Sequence, residues 1–218
     1  MITTCNQCPY CSRIELVGDN KIKPKNSDRF DTVIDYSNDV VITPTLGMIV
    51  PGYLLAISRT HIQMFSEFLP IQLVELQSYI LKILATLNPL FGEYIIFEHG
   101  PQKIVDGHKL GGCIGHAHLH LIPKTKNLVK QIKSALPWQP LKSFSELHEK
   151  GDYALFGDAN NFYFSSVPNL PPQWIRKQLT LASEAPCDWD WTIDTGIEEL
   201  EVTLATLRDA FPRLRTIG

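Results

Sequence analysis

The sequence lacks several features that would at once assign a chain to a class of protein. No apolar run is long enough to span a bilayer, so we expect no membrane-spanning helix. Positive charge is not in excess: the net charge is −3 and the pI about 6.2, so electrostatics alone would hold the chain neither on nucleic acid nor on an anionic membrane. The first residues, MITTCNQCPYCSRIEL, lack the charged start and apolar core of a secretory signal.

Cysteine is scarce as well, and its spacing does not suit a framework of disulfide bonds. The five cysteines are an odd set, and three of them, Cys5, Cys8 and Cys11, cluster near the start. Such a pattern is typical of a metal site or of free thiols in a reducing compartment. The 218 residues, 44% of them hydrophobic and 20% charged, predict a packed, soluble, cytoplasmic protein with one large domain or one domain and an appendage.

Hydrophobic periodicity predicts an α+β fold. Strand-like runs, separated by turn-forming residues and by one helical segment, cover residues 32–36, 40–43, 53–58 and 94–98. The helical segment, residues 70–90, carries apolar side chains such as Ile71 and Val74, and Asn88-Pro89 is expected to end the helix. From about Lys124 the chain is more polar, and two strands followed by two helices are expected at residues 152–156, 161–166, 171–185 and 197–211.

The most informative segment is GGCIGHAHLHLIP, residues 111–123. The chain has seven histidines, and three of them, His116, His118 and His120, stand here at alternate positions with apolar residues between and after them. Because side chains alternate between the two faces of a strand, the three imidazoles would share one face, and the apolar side chains would enter the core from the other. On a helix the same spacing would scatter the imidazoles around the axis.

Three interpretations of this histidine row compete. The histidines could be ordinary surface residues, although strict alternation beside a glycine-rich loop argues against this. They could ligate a metal together, since imidazoles two apart on a strand can bind zinc. They could also be catalytic, because a neutral imidazole is a competent nucleophile toward phosphorus or carbonyl carbon. The preceding GGCIG favours the last interpretation, since its backbone N–H groups can approach an anion closely.

Residues 116–122 match the pattern His-φ-His-φ-His-φ-φ, where φ is apolar, and the chain thereby resembles the histidine triad (HIT) family of nucleotide hydrolases and transferases. The C-x-x-C of Cys8 and Cys11 resembles the family's N-terminal cysteines, and PGYLLAISRTHI resembles a conserved family stretch that ends here at His61. The resemblance implies a HIT-like fold, with a mostly antiparallel sheet and a long helix. It implies a catalytic domain at residues 1–125 and a mixed α/β C-terminal extension, residues 126–218, packed on it.

The resemblance also implies a role for each triad histidine. His118 matches the nucleophile, which would attack the α-phosphate of a nucleotide and form a nucleotidyl-histidine intermediate, with a backbone carbonyl holding its other ring nitrogen as N–H. His120 matches the position on the phosphate or leaving-group side. His116 matches the position that orients the strand or, in zinc-bearing members, ligates metal.

The chain departs from the family pattern at several positions. Tyr53 stands where the family usually has histidine. His99-Gly100 replaces Asn-Gly, and Gly112-Cys113 replaces Gln-Ser before the triad. We expect His99, Gly112 and Cys113 to face the substrate.

Zinc-bearing members of the family imply a structural site with four ligands, Cys8, Cys11, His61 and His116. Cys5 could replace either thiolate. The alternative is that these cysteines are reduced, buried thiols.

The C-terminal part offers two further candidates for substrate contact. Gln173 and Arg176 could reach a polyphosphate, since the planar guanidinium group of arginine suits phosphate. The alternative is packing, in which the tryptophans of this segment anchor an appended helix to the core.

The resulting hypothesis is a nucleotidyl hydrolase or transferase acting on a dinucleoside polyphosphate, a phosphoramidate or a similar nucleotide. The alternatives are a nucleotide-binding protein without turnover and a hydrolase that holds one metal ion with all three histidines. The expected partner is a nucleotide rather than nucleic acid or a membrane, and a homodimer is expected unless the C-terminal extension covers the pairing surface.

Overall fold

The computed structural model describes residues 8, 10–11, 14–17, 21–24, 29–100, 115–166, 170–185 and 187–216. Ten strands lie in these residues: β1 Ile14–Val17, β2 Lys21–Pro24, β3 Asp35–Tyr36, β4 Val40–Pro44, β5 Leu54–Ser58, β6 Tyr94–His99, β7 His118–Pro123, β8 Gln139–Leu141, β9 Ala154–Gly157 and β10 Phe162–Ser165. Four α-helices accompany them: α1 Pro70–Phe91, α2 Lys126–Ala135, α3 Trp174–Ser183 and α4 Ile197–Leu207.

Eight of the strands form one sheet in the order β3-β4-β5-β7-β6-β9-β10-β8, and β1 and β2 form a separate hairpin. All the paired strands of the described chain are antiparallel. Strand β7, which carries two of the triad histidines, lies inside the sheet between β5 and β6. The predicted α+β class, with a mostly antiparallel sheet and a long helix, is confirmed.

Different helices pack on the two faces of the sheet. On one face, α1 packs a stripe of buried side chains against Ala117, Leu119 and Leu121, and the stripe consists of Leu73, Leu76, Ile80, Ile83, Leu84 and Leu87. On the other face, α2, α3 and α4 contribute buried residues to a second core, among them Leu128, Ile132, Ile175, Leu179 and Leu200. No helix in the described ranges has the length and apolar character needed to cross a bilayer.

Helix α1 corrects two details of the sequence prediction. Ile71 and Val74 are not part of the buried stripe, with 62% and 43% of their surface exposed, because they lie on the side of the helix turned away from the sheet. The helix also continues through Pro89 to Phe91. A proline in the last turn removes a single helical hydrogen bond, and the helix ends instead at Gly92, whose φ of 84° suits glycine.

Helix α2 was missed from the sequence because its composition is polar. Its signals are local: the Thr125 side chain accepts a hydrogen bond from the Leu128 N–H at 3.1 Å, and Leu128 and Ile132 are buried one turn apart.

The strands beyond residue 126 extend the same sheet, since β9 pairs with β6 and continues to β10 and β8. The division of the chain at residue 125 stays a prediction.

Glu98 on β6 is a buried carboxyl group that joins three segments of the chain. It is 2% exposed and accepts hydrogen bonds from the Phe65 N–H at 3.1 Å and from the hydroxyl of Tyr153. Burial raises its pKa to about 7, and the two hydrogen bonds only partly oppose this rise. Phe65 follows the loop that carries His61, so Glu98 helps to hold that loop against the sheet.

Because the folded-state pKa of Glu98 is raised, we expect the stability that its protonated form confers to be lost as the pH rises. The folded protein keeps a proton on Glu98 that the unfolded chain releases, so the contribution of Glu98 to the free energy of unfolding should fall between about pH 5 and pH 7, by at most about 1.4 kcal/mol per pH unit. Buried histidines with lowered pKa values contribute with the opposite sign in this range, so the test is the difference between two proteins. Glu98→Gln keeps two hydrogen-bonding atoms but cannot ionise, and its free energy of unfolding relative to that of the wild type should rise with pH in denaturant unfolding measured across that range. The exposed Glu75→Gln is the matched control, and equal slopes for wild type and Glu98→Gln would contradict the prediction.

Candidate functional site

His118 and His120 lie on the same face of β7, with ring centroids 4.9 Å apart in an edge-to-face arrangement. The apolar residues between them enter the opposite core, as the alternation predicts. His116 differs from the expectation, because β7 begins at His118 and His116 precedes it. Its ring lies against His61, at 5.1 Å between centroids. The next residue, Ala117, donates its N–H to the Ile62 carbonyl at 2.7 Å, which turns this part of the chain toward the His61 loop.

His118 is held in one defined tautomer. Its Nδ1 lies 2.8 Å from the backbone carbonyl oxygen of His116. A carbonyl oxygen can only accept, so Nδ1 carries the hydrogen and Nε2 keeps its lone pair. Burial lowers the pKa of His118 to about 4, which keeps the ring neutral near pH 7. The side chain is nevertheless partly exposed to solvent. A neutral, oriented and accessible imidazole is suited to nucleophilic attack.

His120 is buried beside a tyrosine hydroxyl. Its Nδ1 lies 2.7 Å from Tyr53 Oη, and both side chains are inaccessible or nearly so. Burial holds the pKa of His120 well below its ordinary value and raises that of Tyr53 to about 12. Tyr53 was noted in the sequence only as a departure from the family pattern. Its contact depends on the pairing of β5 with β7, which no local signal shows.

His99 lies at the end of β6, and its electrostatic effect reaches both His118 and His120, whose pKa values it helps to lower. Its own pKa is lowered by burial, and its Nδ1 lies 3.3 Å from the Gly100 carbonyl. Burial therefore lowers the pKa of three imidazoles on this side of the sheet. Whether His99 contacts substrate stays a prediction.

The two cysteines near the start meet two histidines that are distant in sequence. Cys8 Sγ lies 3.2 Å from His116 Nδ1, and Cys11 Sγ lies 3.5 Å from the Nδ1 atoms of both His61 and His116. The two Nδ1 atoms are 3.3 Å apart, and all four ligand atoms lie within 4.8 Å of one another. The expected grouping of these residues is confirmed, and the cluster could hold a metal ion.

The four distances of 3.2–3.5 Å just given are those expected between ligands of one tetrahedral ion. Zinc–sulfur bonds of about 2.3 Å and zinc–nitrogen bonds of about 2.0–2.1 Å place the ligand atoms about 3.3–3.8 Å apart. The tautomer of His116 also fits. Its Nε2 lies 2.7 Å from the Ser58 carbonyl oxygen and must carry the hydrogen, which leaves the lone pair of Nδ1 directed at the cluster.

Tyr10, between the two cysteines, was not singled out in the sequence. Its ring lies edge-on to the rings of His116 and His118, at 5.7 and 5.4 Å between centroids. The residue between the two clustered thiols thus packs directly beside the candidate nucleophile.

Helix α3 begins close to the histidines. Trp174 packs on Phe97 at 5.7 Å between ring centroids, and Phe97 lies opposite His120 in the sheet. Arg176 is 5% exposed, and its guanidinium donates to backbone carbonyls of Leu46, Gly47 and Trp189. These bonds favour the packing interpretation of the segment.

The other residues predicted to contact substrate are Gln173, at the start of α3, and two residues of the segment before the triad. Gln173 stands at the start of α3 with a φ of 56°, and its amide oxygen is buried without a hydrogen-bond partner among the described residues. Substrate contact by Gln173 and Arg176 stays a prediction. Gly112 and Cys113, as well as Cys5, lie outside the described residues.

Comparison with known proteins adds little to this geometry. No family model and no curated protein matches the sequence. The chain is similar to a solved structure, that of the yeast Ap4A phosphorylase Apa2, with 12% sequence identity over 82% of this chain and 76% of that chain and a TM-score of 0.41. A likeness of this degree defines neither the fold nor the chemistry of the chain.

Proposed function

We propose that this protein is a histidine-triad enzyme, a nucleotidyl hydrolase or transferase that acts at the α-phosphate of a nucleotide. The substrate class is a dinucleoside polyphosphate, a phosphoramidate or a nucleotide with a similar leaving group. The observation that carries the proposal is the hydrogen bond from His118 Nδ1 to the carbonyl of His116, at 2.8 Å, which leaves the lone pair on Nε2.

The reaction divides into two displacements. His118 Nε2 attacks the α-phosphorus, a nitrogen–phosphorus bond forms, and the bond to the leaving group breaks with its electron pair on the departing atom. Water or another acceptor then attacks the same phosphorus, and the electron pair of the nitrogen–phosphorus bond returns to Nε2. When the acceptor is water, its proton is released to solvent. The His116 carbonyl orients the ring and stabilises the positive charge that the ring gains in the first displacement.

The surroundings of His118 support this chemistry. His99 and His120 are kept neutral by burial, so neither places a positive charge beside the one that the His118 ring gains on attack. In a site shielded from water, ring N–H groups act strongly on the negative charge of a phosphoryl group.

The cluster of Cys8, Cys11, His61 and His116 is proposed as a structural zinc site. Four protein ligands make it a closed site, which is typical of zinc in a structural role rather than a catalytic one. When bound, zinc would supply four bonds that fix the N-terminal segment. Two residues of this region contact the proposed nucleophile directly: His116 accepts a hydrogen bond from His118 through its carbonyl, and Tyr10 packs against the His118 ring.

One alternative receives no support from the geometry. A hydrolase with three histidines on one ion needs their nitrogens to converge, but among the described residues the convergent group contains only His116 of the triad. A nucleotide-binding protein without turnover differs from the proposal only in chemistry, so the same experiment separates the two.

We expect a covalent nucleotide on His118. Incubation with an α-labelled nucleoside polyphosphate, rapid quenching and peptide mapping under basic conditions should locate an acid-labile adduct there, because phosphorus–nitrogen bonds hydrolyse in acid. His118→Ala should abolish both the adduct and product formation. His148→Ala is the matched control, since His148 bonds to the Phe68 carbonyl away from the site.

Product formation that persists in His118→Ala would refute the proposal. Tight binding of the nucleotide without an adduct or turnover in the wild-type protein would instead identify a binding protein.

We expect about one zinc per chain in protein purified without chelator, measured by elemental analysis. Cys11→Ser should lose the metal and lower the melting temperature, because the N-terminal segment would lose its anchor. Cys187→Ser is the control: like Cys11, this cysteine is partly buried and forms no disulfide bond, but it lies outside the cluster. Absence of zinc in the wild-type protein would refute the four-ligand site and leave the role of His118 unaffected.

A further inference from the structure

Tyr53 contacts His120, the triad histidine next to the proposed nucleophile. Its hydroxyl lies 2.7 Å from His120 Nδ1, and both groups are buried. Buried polar hydrogens almost always have an acceptor, so the hydrogen of this hydroxyl must go to one of its neighbours. Its direction decides which nitrogen of His120 carries the proton.

The surroundings of the hydroxyl settle that direction. Among the described residues its hydrogen-bond partner is His120 Nδ1, at 2.7 Å. The Arg176 guanidinium, 5.9 Å from the centre of the Tyr53 ring, has no acceptor to offer. Tyr53 therefore donates to Nδ1, and a neutral His120 carries its proton on Nε2.

The adjacent histidine is arranged in the opposite way. His118 carries its proton on Nδ1, because that atom donates to the His116 carbonyl. The two neighbouring rings, 4.9 Å apart, thus present a lone pair and a hydrogen-bond donor from their Nε2 atoms.

We propose that Tyr53 is a positioning residue that holds His120 as an Nε2–H donor, which binds the negative charge developing on the phosphoryl group or leaving atom while His118 attacks. No proton is transferred in this step: the donor stabilises charge by a hydrogen bond. The inference rests on the proposed nucleotidyl transfer for its catalytic part but not for the state of His120.

The tautomers can be measured directly by NMR on protein labelled with ¹⁵N-histidine. Correlations between ring carbon-bound protons and ring nitrogens distinguish Nδ1–H from Nε2–H, and variants of each histidine assign the signals. We expect Nδ1–H for His118 and Nε2–H for His120 in the wild-type protein. In Tyr53→Phe, the His120 signals should move toward the Nδ1–H form or a mixture, whereas those of His118 stay unchanged.

Kinetics tests the catalytic part of the inference. Loss of one aligned donor lowers kcat by about 100-fold in comparable sites, and we expect Tyr53→Phe to lower kcat about tenfold to 100-fold with little change in KM. In a His120→Gln background, whose amide supplies an N–H without needing Tyr53, the same substitution should cause no further loss.

Tyr94→Phe is the matched control. Tyr94 is equally buried, and its hydroxyl donates to the Gly52 carbonyl at 2.9 Å, next to Tyr53 in sequence. This variant should lose stability without altering either tautomer or kcat.

A wild-type His120 found as Nδ1–H, or a Tyr53→Phe variant with unchanged tautomer and kcat, would overturn the assignment of Tyr53. If the wild-type protein forms no nucleotide adduct, the proposed function fails by itself, and the NMR result alone then decides whether Tyr53 sets the state of His120.

Discussion

The hydrogen bond between His118 Nδ1 and the backbone carbonyl of His116 is the interaction on which the site depends. It leaves the lone pair of His118 on the nitrogen that can attack. The carbonyl is itself held in place, because the ring of the same residue is bonded to Ser58 on one side and faces Cys8 and Cys11 on the other. His116 thus links the candidate metal cluster to the proposed nucleophile through its own backbone.

Burial gives the neighbouring histidines their chemical state. The pKa values of His99, His118 and His120 are all lowered mainly by desolvation. Each ring is therefore neutral and has one donor and one acceptor nitrogen. A hydrogen bond at Nδ1 then determines the tautomer of each ring. The partner is a backbone carbonyl for His118 and a tyrosine hydroxyl for His120. The proposed nucleophile and the proposed donor are thus of the same residue type and differ in what each Nδ1 contacts.

The two faces of the sheet have different roles: one packs into the core and the other carries the candidate site. One face of β7 carries Leu119 and Leu121 into the core beneath α1, where Glu98 also anchors the loop before Phe65. The other face carries His118 and His120, on the side of the sheet where Trp174 of α3 packs on Phe97. Because one strand serves both faces, the core that fixes the backbone of β7 also fixes the positions of its imidazoles.

The sequence by itself determined the features that depend on local spacing. Alternation predicted that His118 and His120 share a face opposite Leu119, and helical spacing predicted α1, although Ile71 and Val74 were assigned to the wrong side. The tertiary structure decided the rest: that His116 leaves the strand, that Tyr53 bonds to His120, and that Arg176 binds carbonyls of the loop before β5. The family resemblance grouped Cys8 and Cys11 with His61 and His116, but periodicity could not, because more than 100 residues separate Cys8 from His116. Local patterns report which face a residue occupies, whereas strand pairing and chain packing determine which distant side chain it meets there.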